Sequence, residues 1–438
     1  MQDMTQGTPV KVIVRFTIPI LLGNILQLTY NLADTRIVGS FIGDHALAAV
    51  GATATMFSLF VYFFMGLANG FAIATARYFG AGDMEGVHKS FVAALVMGIG
   101  LTVIISIVIE LQMNPFLRFL NVPDEILADS RLYIRIVIAG LVITMIYDVL
   151  LASARAIGDS VTPLLTLIVS VGLNIVGDII LIVVFGIGVA AAAIATIAAQ
   201  FITLIACGIY LLRKYPFFRF DREDFKNLEL PMMKSMMLSG LSMAFMGTLI
   251  AIGSLVLQTA INLLGSSYIV AQSAARRITD VLMTVFVAVG NAMAPYCSQN
   301  LGAGRWDRIR AGMKAGYAIT CSWCALVLII VWLFASTMIS LVTGSHDQVM
   351  IDAATLYLKV DSALYVLVAI IFTIRFSMQG VGDKVTPLVS SGIEMIGKII
   401  MTYTLVPVMG YMGVILVEPI TWIFMIIPLI RKVRKWEK

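Results

Sequence analysis

Charge is scarce in this sequence: 13% of its 438 residues are Asp, Glu, Lys or Arg, against 60% that are hydrophobic. A water-soluble domain of that composition would expose large apolar patches, so an aqueous fold is excluded and the solvent is lipid. Histidine is rarer still, at three residues, and neither H-E-x-x-H nor G-x-S-x-G occurs, which leaves no enzyme reading to pursue. The four cysteines, Cys207, Cys297, Cys321 and Cys324, all fall in or at the ends of apolar runs. That placement excludes a disulfide scaffold, and the C-S-W-C spacing is read as structural. Short alternating segments of an outer-membrane barrel are missing, as are basic patches interleaved with aromatics of the kind that bind nucleic acid.

What is present is a succession of continuous apolar runs, each long enough to cross a hydrocarbon core. Twelve spans are expected near 12–38, 47–76, 91–111, 127–152, 162–185, 189–212, 235–264, 270–298, 313–340, 350–378, 386–408 and 412–430. The polar first ten residues show no cleavable signal, so the first span is expected to stay in the protein. Cations concentrate in alternate connections: Arg77 and Lys89, then Arg213 to Lys234, then Arg305 to Lys314, and finally Arg431 to Lys438. The opposite connections are short or acidic, so the positive-inside rule predicts a multi-pass protein of the cell (inner) membrane with both termini cytoplasmic.

The chain repeats itself. Y-F-G-A-G-D at 78–83 returns as N-L-G-A-G-R at 300–305, and A-I-G-D-S-V-T-P at 156–163 returns as G-V-G-D-K-V-T-P at 380–387. The displacements are 222 residues (Gly80 to Gly302) and 224 residues (Asp159 to Asp383), in the same order along the chain. Two six-helix lobes are therefore expected, 1–212 and 235–438, joined by a charged cytoplasmic linker at 213–234. Six is even, so the halves share one orientation, as in transporters built from parallel repeats. The G-A-G glycines suit helix C-caps, while Thr162-Pro163 and Thr386-Pro387 read as an N-cap followed by a first-turn proline.

Charges inside spans need a reason. Asp178 lies nine residues before the turn at Ile187 and Thr196 nine after it, while Asp34 lies nine before Gly43. All three thus sit at about 13 Å from one surface. Asn174 is one helical turn from Asp178 on the same face. Two carboxylates, an amide and a hydroxyl in a low-dielectric setting cannot comfortably hold two negative charges, so the cluster is expected to recruit a proton or a hard cation such as sodium. A structural role, with each carboxylate bonded to a polar neighbour, is the alternative. Pro19, in the same span as Asp34, offers a place for that helix to kink.

On these pieces the sequence resembles the multidrug and toxic compound extrusion (MATE) family along nearly its whole length. The carriers are Pro19 with D-T-R-I-V-G at 34–39, Y-F-G-A-G-D, R-A-I-G-D-S-V-T-P, Asn174 with Asp178, and G-x-G at 186–188 leading to Thr196, together with the second-half G-A-G and G-D-K-V-T-P. The resemblance implies an all-α polytopic membrane protein, with two pseudo-symmetric six-helix lobes around a central cavity. It implies multidrug efflux: a secondary active antiporter exporting cationic or amphipathic small molecules against proton or sodium entry by alternating access. In the branch similar to DinF proteins, the cation site would comprise Asp34, Asn174, Asp178 and Thr196, with Tyr30 and Gln27 nearby. Those four would be the metal ligands if sodium is the coupling ion, and no other cofactor is implied.

The second lobe departs from the first. Counterparts of Asn174, Asp178 and Thr196 are Glu394, Lys398 and Glu418, an ammonium flanked by two carboxylates that is either a structural network or a substrate contact. Where relatives of the NorM type carry a carboxylate in span seven, this chain has Gln258 and Asn262, and Asp361 in span ten remains a second acidic candidate. Asp148 and Arg155 are placed for an ion pair near the cytoplasmic end of span four. Met56, Met65, Met243, Met283 and Met293 are possible cavity walls, although methionine is more often packing filler. A flippase for lipid-linked or amphipathic lipids is the competing reading, and it predicts a cationic cavity. The sparsity of arginines at mid-membrane depth argues against it, although Arg36, Arg276, Arg277 and Arg375 are the residues a lipid-translocation assay would test. Expected partners are small-molecule substrates and membrane lipid, with no nucleic acid, and the functional unit is expected to be a monomer.

Overall fold

The computed structural model describes residues 2–41, 44–119, 122–219, 223–224, 228–344 and 347–436, and among these every regular element is helical. The α-helices are α1 (Pro9–Phe41), α2 (Asp44–Ala81), α3 (Met84–Leu111), α4 (Met113–Phe119), α5 (Asp124–Ala156), α6 (Val161–Asp178) and α7 (Ala190–Lys214), then α8 (Leu230–Asn262), α9 (Ser266–Gly302), α10 (Trp306–Thr343), α11 (Gln348–Ala363), α12 (Tyr365–Val381), α13 (Val385–Met409) and α14 (Tyr411–Val433). Eleven helices among the described residues are long and apolar enough to cross a bilayer, and α11 with α12 makes a twelfth span.

That twelfth span is not the straight run expected over 350–378. It bends by 51° between α11 and α12. At the break the Leu364 N–H donates to the Asp361 carbonyl at 3.0 Å and the Leu367 N–H to Leu364 at 2.9 Å, so the ladder tightens to three-residue bonds. Neither proline nor glycine marks the place. In α6, likewise, the helix loosens into a π-turn over Ile179–Val184, directly after Asp178.

Contacts divide the chain differently from the predicted lobe boundaries. One compact unit comprises Met1–Asp3 and Leu22–Ala244, the other Met4–Leu21 and Phe245–Lys438, so two of the three boundaries fall inside helices, α1 and α8. For α8 the cause is glycine. A Cβ on Gly70 would lie 2.5 Å from the Gly240 Cα, and one on Gly66 2.7 Å from the Ala244 Cα. The start of α8 therefore rests backbone to backbone on α2, as small residues four apart permit in lipid, where close packing rather than water expulsion holds helices together. For α1, Val12, Ile13 and Phe16 join the core of the second unit, together with Met4. The Met4 N–H donates to Gln299 Oε1 at 3.1 Å, and its carbonyl accepts from Asn300 at 3.1 Å and Arg308 at 3.0 Å.

The repeated G-D-x-V-T-P motif is a capping device, but the cap is the aspartate and not the threonine. Helix α6 begins at Val161, and Asp159 accepts from the Thr162 N–H at 2.9 Å and the Thr162 hydroxyl at 2.6 Å. Asp383 repeats this with Thr386, at 3.0 and 2.8 Å. Threonine is one step too far into the helix to reach the free N–H groups, so it donates to the capping carboxylate instead. In the first unit the predicted linker also docks here: Lys214 and Tyr215 reach Asp159 at 3.1 and 2.7 Å. Phe218, fully buried, lies 4.6 Å from the Phe91 ring.

Burial alone would push the Asp159 carboxyl up, but hydrogen bonds from Thr162, Tyr215 and Lys214 overcome it and hold the group at about 2. Its folded value is thus depressed below the ordinary 3.8, so its contribution is present above pH ~4 and is lost as pH falls through about 2. Because Lys214 is partly solvated, the contribution is discounted to about 1–2 kcal/mol. Asp159→Asn should lower the unfolding midpoint of the purified protein at pH 7 by that worth. The gap to the unaltered protein should close as both are titrated from pH 4 towards pH 2, as read by intrinsic fluorescence.

Candidate functional site

Four of the five predicted coupling residues converge in the first unit. Asn174 and Asp178 lie one turn apart on α6, 3% and 0% exposed, and Thr196 faces them from α7. One end of the Asn174 amide lies 3.0 Å from both Asp178 Oδ2 and the Tyr30 hydroxyl of α1, and the other lies 3.1 Å from Thr196 Oγ1. The Thr196 hydroxyl in turn donates to the Ala192 carbonyl at 2.9 Å. A small residue holds the two helices close enough for these bonds: a Cβ on Gly177 would come within 3.2 Å of the Ala195 Cβ. The fifth residue, Asp34, belongs to α1, and its side chain lies outside the described residues. Gln27, on the same helix, donates to Asn31 at 3.1 Å and does not reach the cluster among the described contacts.

Oxygen atoms of a carboxylate, an amide, a hydroxyl and a phenol are the hard donors that sodium takes, and the carboxylate is equally a proton acceptor. No group of three or more His, Cys, Asp or Glu side chains fit to hold a metal occurs among the described residues. The donor set here is oxygen-only and carries few charges, which suits a monovalent ion or a proton and not a resident transition metal.

In the second unit the residues at the corresponding places form a dense ionic network. Lys398 Nζ lies 3.2 Å from Glu394 Oε1 and 3.0 Å from Glu418 Oε1, and donates to Ser254 at 3.2 Å. Two arginines that the sequence offered only to the flippase reading close it. Arg276 Nη2 meets Glu418 at 3.0 Å, and Arg375 lies 3.6 Å from Glu394 and donates to Ser391. Tyr357 adds a bond to Glu418 at 3.4 Å, and Asp361 is buried at the break between α11 and α12. These charges come from α9, α12, α13 and α14, separations for which a sequence offers no periodic signal.

The remaining candidates scatter. Arg155 donates to Asn69 at 3.1 Å, and among the described residues it forms no ion pair with Asp148. Gln258 and Asn262 bond to one another at 2.9 Å along α8, with Asn262 exposed. Met56 and Met293 are packed into the two cores, whereas Met65 is exposed. Pro19 lies inside α1, two residues before the division between the units at Leu21 and Leu22. All four cysteines are free thiols, and Trp323, inside the C-S-W-C stretch, donates to the Leu282 carbonyl at 3.0 Å.

Twelve spans, an internal duplication and a polar cluster buried in helices α6 and α7 define a polytopic membrane protein of the parallel-repeat class. The MatE family model matches it twice, over residues 19–180 and 242–404, and the chain belongs to that family. Curated relatives include "Probable multidrug resistance protein YpnP" of Bacillus subtilis, 25% identical over 88% of this chain and 86% of the relative. "Multidrug export protein MepA" of Staphylococcus aureus is 24% identical over 85% of this chain and 82% of its own. Among solved structures, an outward-facing multidrug resistance MATE family transporter of the MOP superfamily superposes with a TM-score of 0.91 at 24% identity, covering 99% of this chain and 97% of that one. A MATE crystal structure in the bent conformation gives 0.90 at 23% identity, with the same coverage.

Proposed function

We propose that the chain is a multidrug efflux transporter, a secondary active antiporter. It exports cationic or amphipathic small molecules in exchange for protons or sodium ions by alternating access, from the cell (inner) membrane with both termini cytoplasmic. The observation that carries this is the fully buried Asp178 joined through the Asn174 amide to Thr196 and Tyr30. The similarity to YpnP, a probable multidrug resistance protein, and MepA, a multidrug export protein, supports multidrug efflux, and the basic ends of α7 and α14 support the orientation.

The amide gives the cluster a way to register its occupant. With Asp178 ionised, the amide nitrogen faces the carboxylate and Tyr30, and the amide oxygen faces Thr196. With a proton on Asp178, the favourable arrangement reverses. The carboxyl donates to the amide oxygen, and the nitrogen donates to Thr196 Oγ1 at 3.1 Å, whose own hydroxyl is committed to Ala192. Loading therefore changes the polarity of a bond chain between α6 and α7, and a cation shifts the conformational balance only through such differential contacts. Asp34, by the family resemblance, is the second carboxylate. Arg276 and Arg375 each face a carboxylate, which weighs against the cationic surroundings that a lipid flippase would need.

Purified protein in sealed proteoliposomes should drive a cationic dye outward when a pH gradient or a sodium gradient is imposed, and comparison of the two names the coupling ion. Asp178→Asn should reduce gradient-driven transport to background while the protein still folds. Undiminished transport in that variant would remove the cluster from the coupling mechanism.

A further inference from the structure

A helix that crosses lipid hides its charges, yet α9 of the second unit exposes two. Along it from the α8–α9 turn the exposed residues are Val270, Ser273, Arg277, Asp280 and Val281, spaced three and four apart so that they share one face. Between them Gln272, Ala275 and Ile278 are buried. Counted from Gly265, Arg277 lies about 18 Å and Asp280 about 22 Å along the helix, inside a hydrocarbon layer of about 30 Å. Side chains charged at that depth face a water-filled space and not lipid. From Leu282 to Ala303 no residue of α9 is exposed, so the wetted face opens towards the α8–α9 turn and ends at Asp280 and Val281.

The ionic network behind the helix sets this register. Arg276 Nη2 is held by Glu418 at 3.0 Å, and Gln272, one turn away on the same side, accepts from the Tyr411 hydroxyl at 2.9 Å. Consecutive helical residues are turned by about 100°, so fixing Arg276 against Glu418 carries Arg277 round to the exposed face. Neither outward charge is spent. Among the described residues the Arg277 guanidinium makes no ion pair or hydrogen bond, and the Asp280 carboxylate accepts no hydrogen bond. Arg276, one turn before Asp280, attracts that carboxylate but is tied to Glu418. Residues three apart on a helix have Cβ atoms about 5–6 Å from one another, so Arg277 and Asp280 offer opposite charges side by side without closing on each other.

We propose that Arg277 and Asp280 are a recognition pair for a soluble zwitterionic amphiphile, whose carboxylate meets Arg277 and whose cation meets Asp280. A purely cationic ligand would set its charge beside the guanidinium, and a purely anionic one beside the carboxylate; a molecule carrying both signs satisfies both. That the ligand is cargo rests on the efflux reading; that it binds at this pair does not.

The test is dye binding to the purified full chain in detergent, read by fluorescence anisotropy with no gradient imposed. Rhodamine B, a xanthylium cation bearing a carboxylate, is compared with its ethyl ester, which keeps the cation and lacks the anion. Rhodamine B should bind about tenfold more tightly, the worth of one charge-assisted hydrogen bond. Arg277→Gln should abolish that preference while leaving the ester within about twofold, Arg277→Lys should keep part of it, and Asp280→Asn should weaken both dyes. Both side chains are exposed, so thermal unfolding of these variants should match the unaltered chain. No preference between the dyes in the unaltered chain, a preference that survives Arg277→Gln, or Asp280→Asn binding both dyes unchanged overturns the proposal. Phosphatidylethanolamine carries the same two charges on a lipid, so its displacement of rhodamine B from the micelles would assign the pair to a headgroup and overturn the soluble ligand. Failure of gradient-driven dye export in proteoliposomes would count against efflux and leave the binding preference standing.

Discussion

Gly70→Val should be among the most damaging single substitutions in the chain, lowering both the yield of folded protein and its unfolding midpoint. A Cβ at Gly70 would fall 2.5 Å from the Gly240 Cα, 2.6 Å from the Gly240 nitrogen and 2.6 Å from the Ser239 carbonyl oxygen. Every one of those atoms is backbone, so no rotamer change relieves the clash, and α8 must move off α2. Overpacking in a relaxable core costs about 1–3 kcal/mol, and this site should lie at or beyond the upper end. Gly240→Val should behave alike, because its Cβ would come 2.5 Å from the Phe71 ring and 3.1 Å from the Leu67 carbonyl. The control is Gly100→Ala in α3, which has nothing within 4 Å of the added atom. There alanine should be neutral or stabilising by up to about 1 kcal/mol, since a mid-helix glycine only adds backbone entropy to the unfolded chain. Thermal unfolding of the three purified variants decides the matter. A Gly70→Val protein as stable as the unaltered chain would mean that α2 and α8 do not touch there.

That contact also shows where sequence reading stopped. The spans were legible because lipid demands long apolar runs, and the duplication because G-A-G and G-D-x-V-T-P recur in the same order at nearly the same displacement. The shared depth of Asp178 and Thr196 was legible too, since each lies nine residues from the same turn. Gly66 and Gly70 are spaced for close packing, but nothing in the sequence names the partner helix, so the division of the chain was placed in the charged connection and not within α8. Leu364 breaks a span without proline or glycine because the break is made by a slipped carbonyl pattern around Asp361, which composition does not encode. Threonine was taken for the cap in T-P because its hydroxyl is a common one, yet the preceding aspartate reaches the free N–H groups with a charge as well as an oxygen. The linker looked purely charged, although Tyr215 and Phe218 dock it on α3 and Asp159.

Lys398→Met should be the second large effect, and it separates a structural network from a substrate contact. The Lys398 ammonium lies within 3.2 Å of both Glu394 and Glu418, and its side chain is 4% exposed. Without the ammonium Glu394 keeps Arg375 and Glu418 keeps Arg276, so neither carboxylate is left alone, but two charge-assisted contacts are lost, each worth about 1.5–3 kcal/mol. Lys398→Met/Glu418→Gln removes the ammonium and one carboxylate together. Glu394 keeps Arg375, and the cation left over is Arg276, whose side chain is 31% exposed and can reach water. The double variant should therefore be less stable than the single one, but by less than Glu418→Gln costs on its own, a non-additivity that a thermal double-mutant cycle reads directly. If the network only holds α13 against α14, dye efflux per folded molecule should survive in the double variant with its KM unchanged. A raised KM with normal stability would instead place Lys398 and Glu418 in contact with substrate, and additive damage from the two changes would show that the two charges do not compensate each other at all.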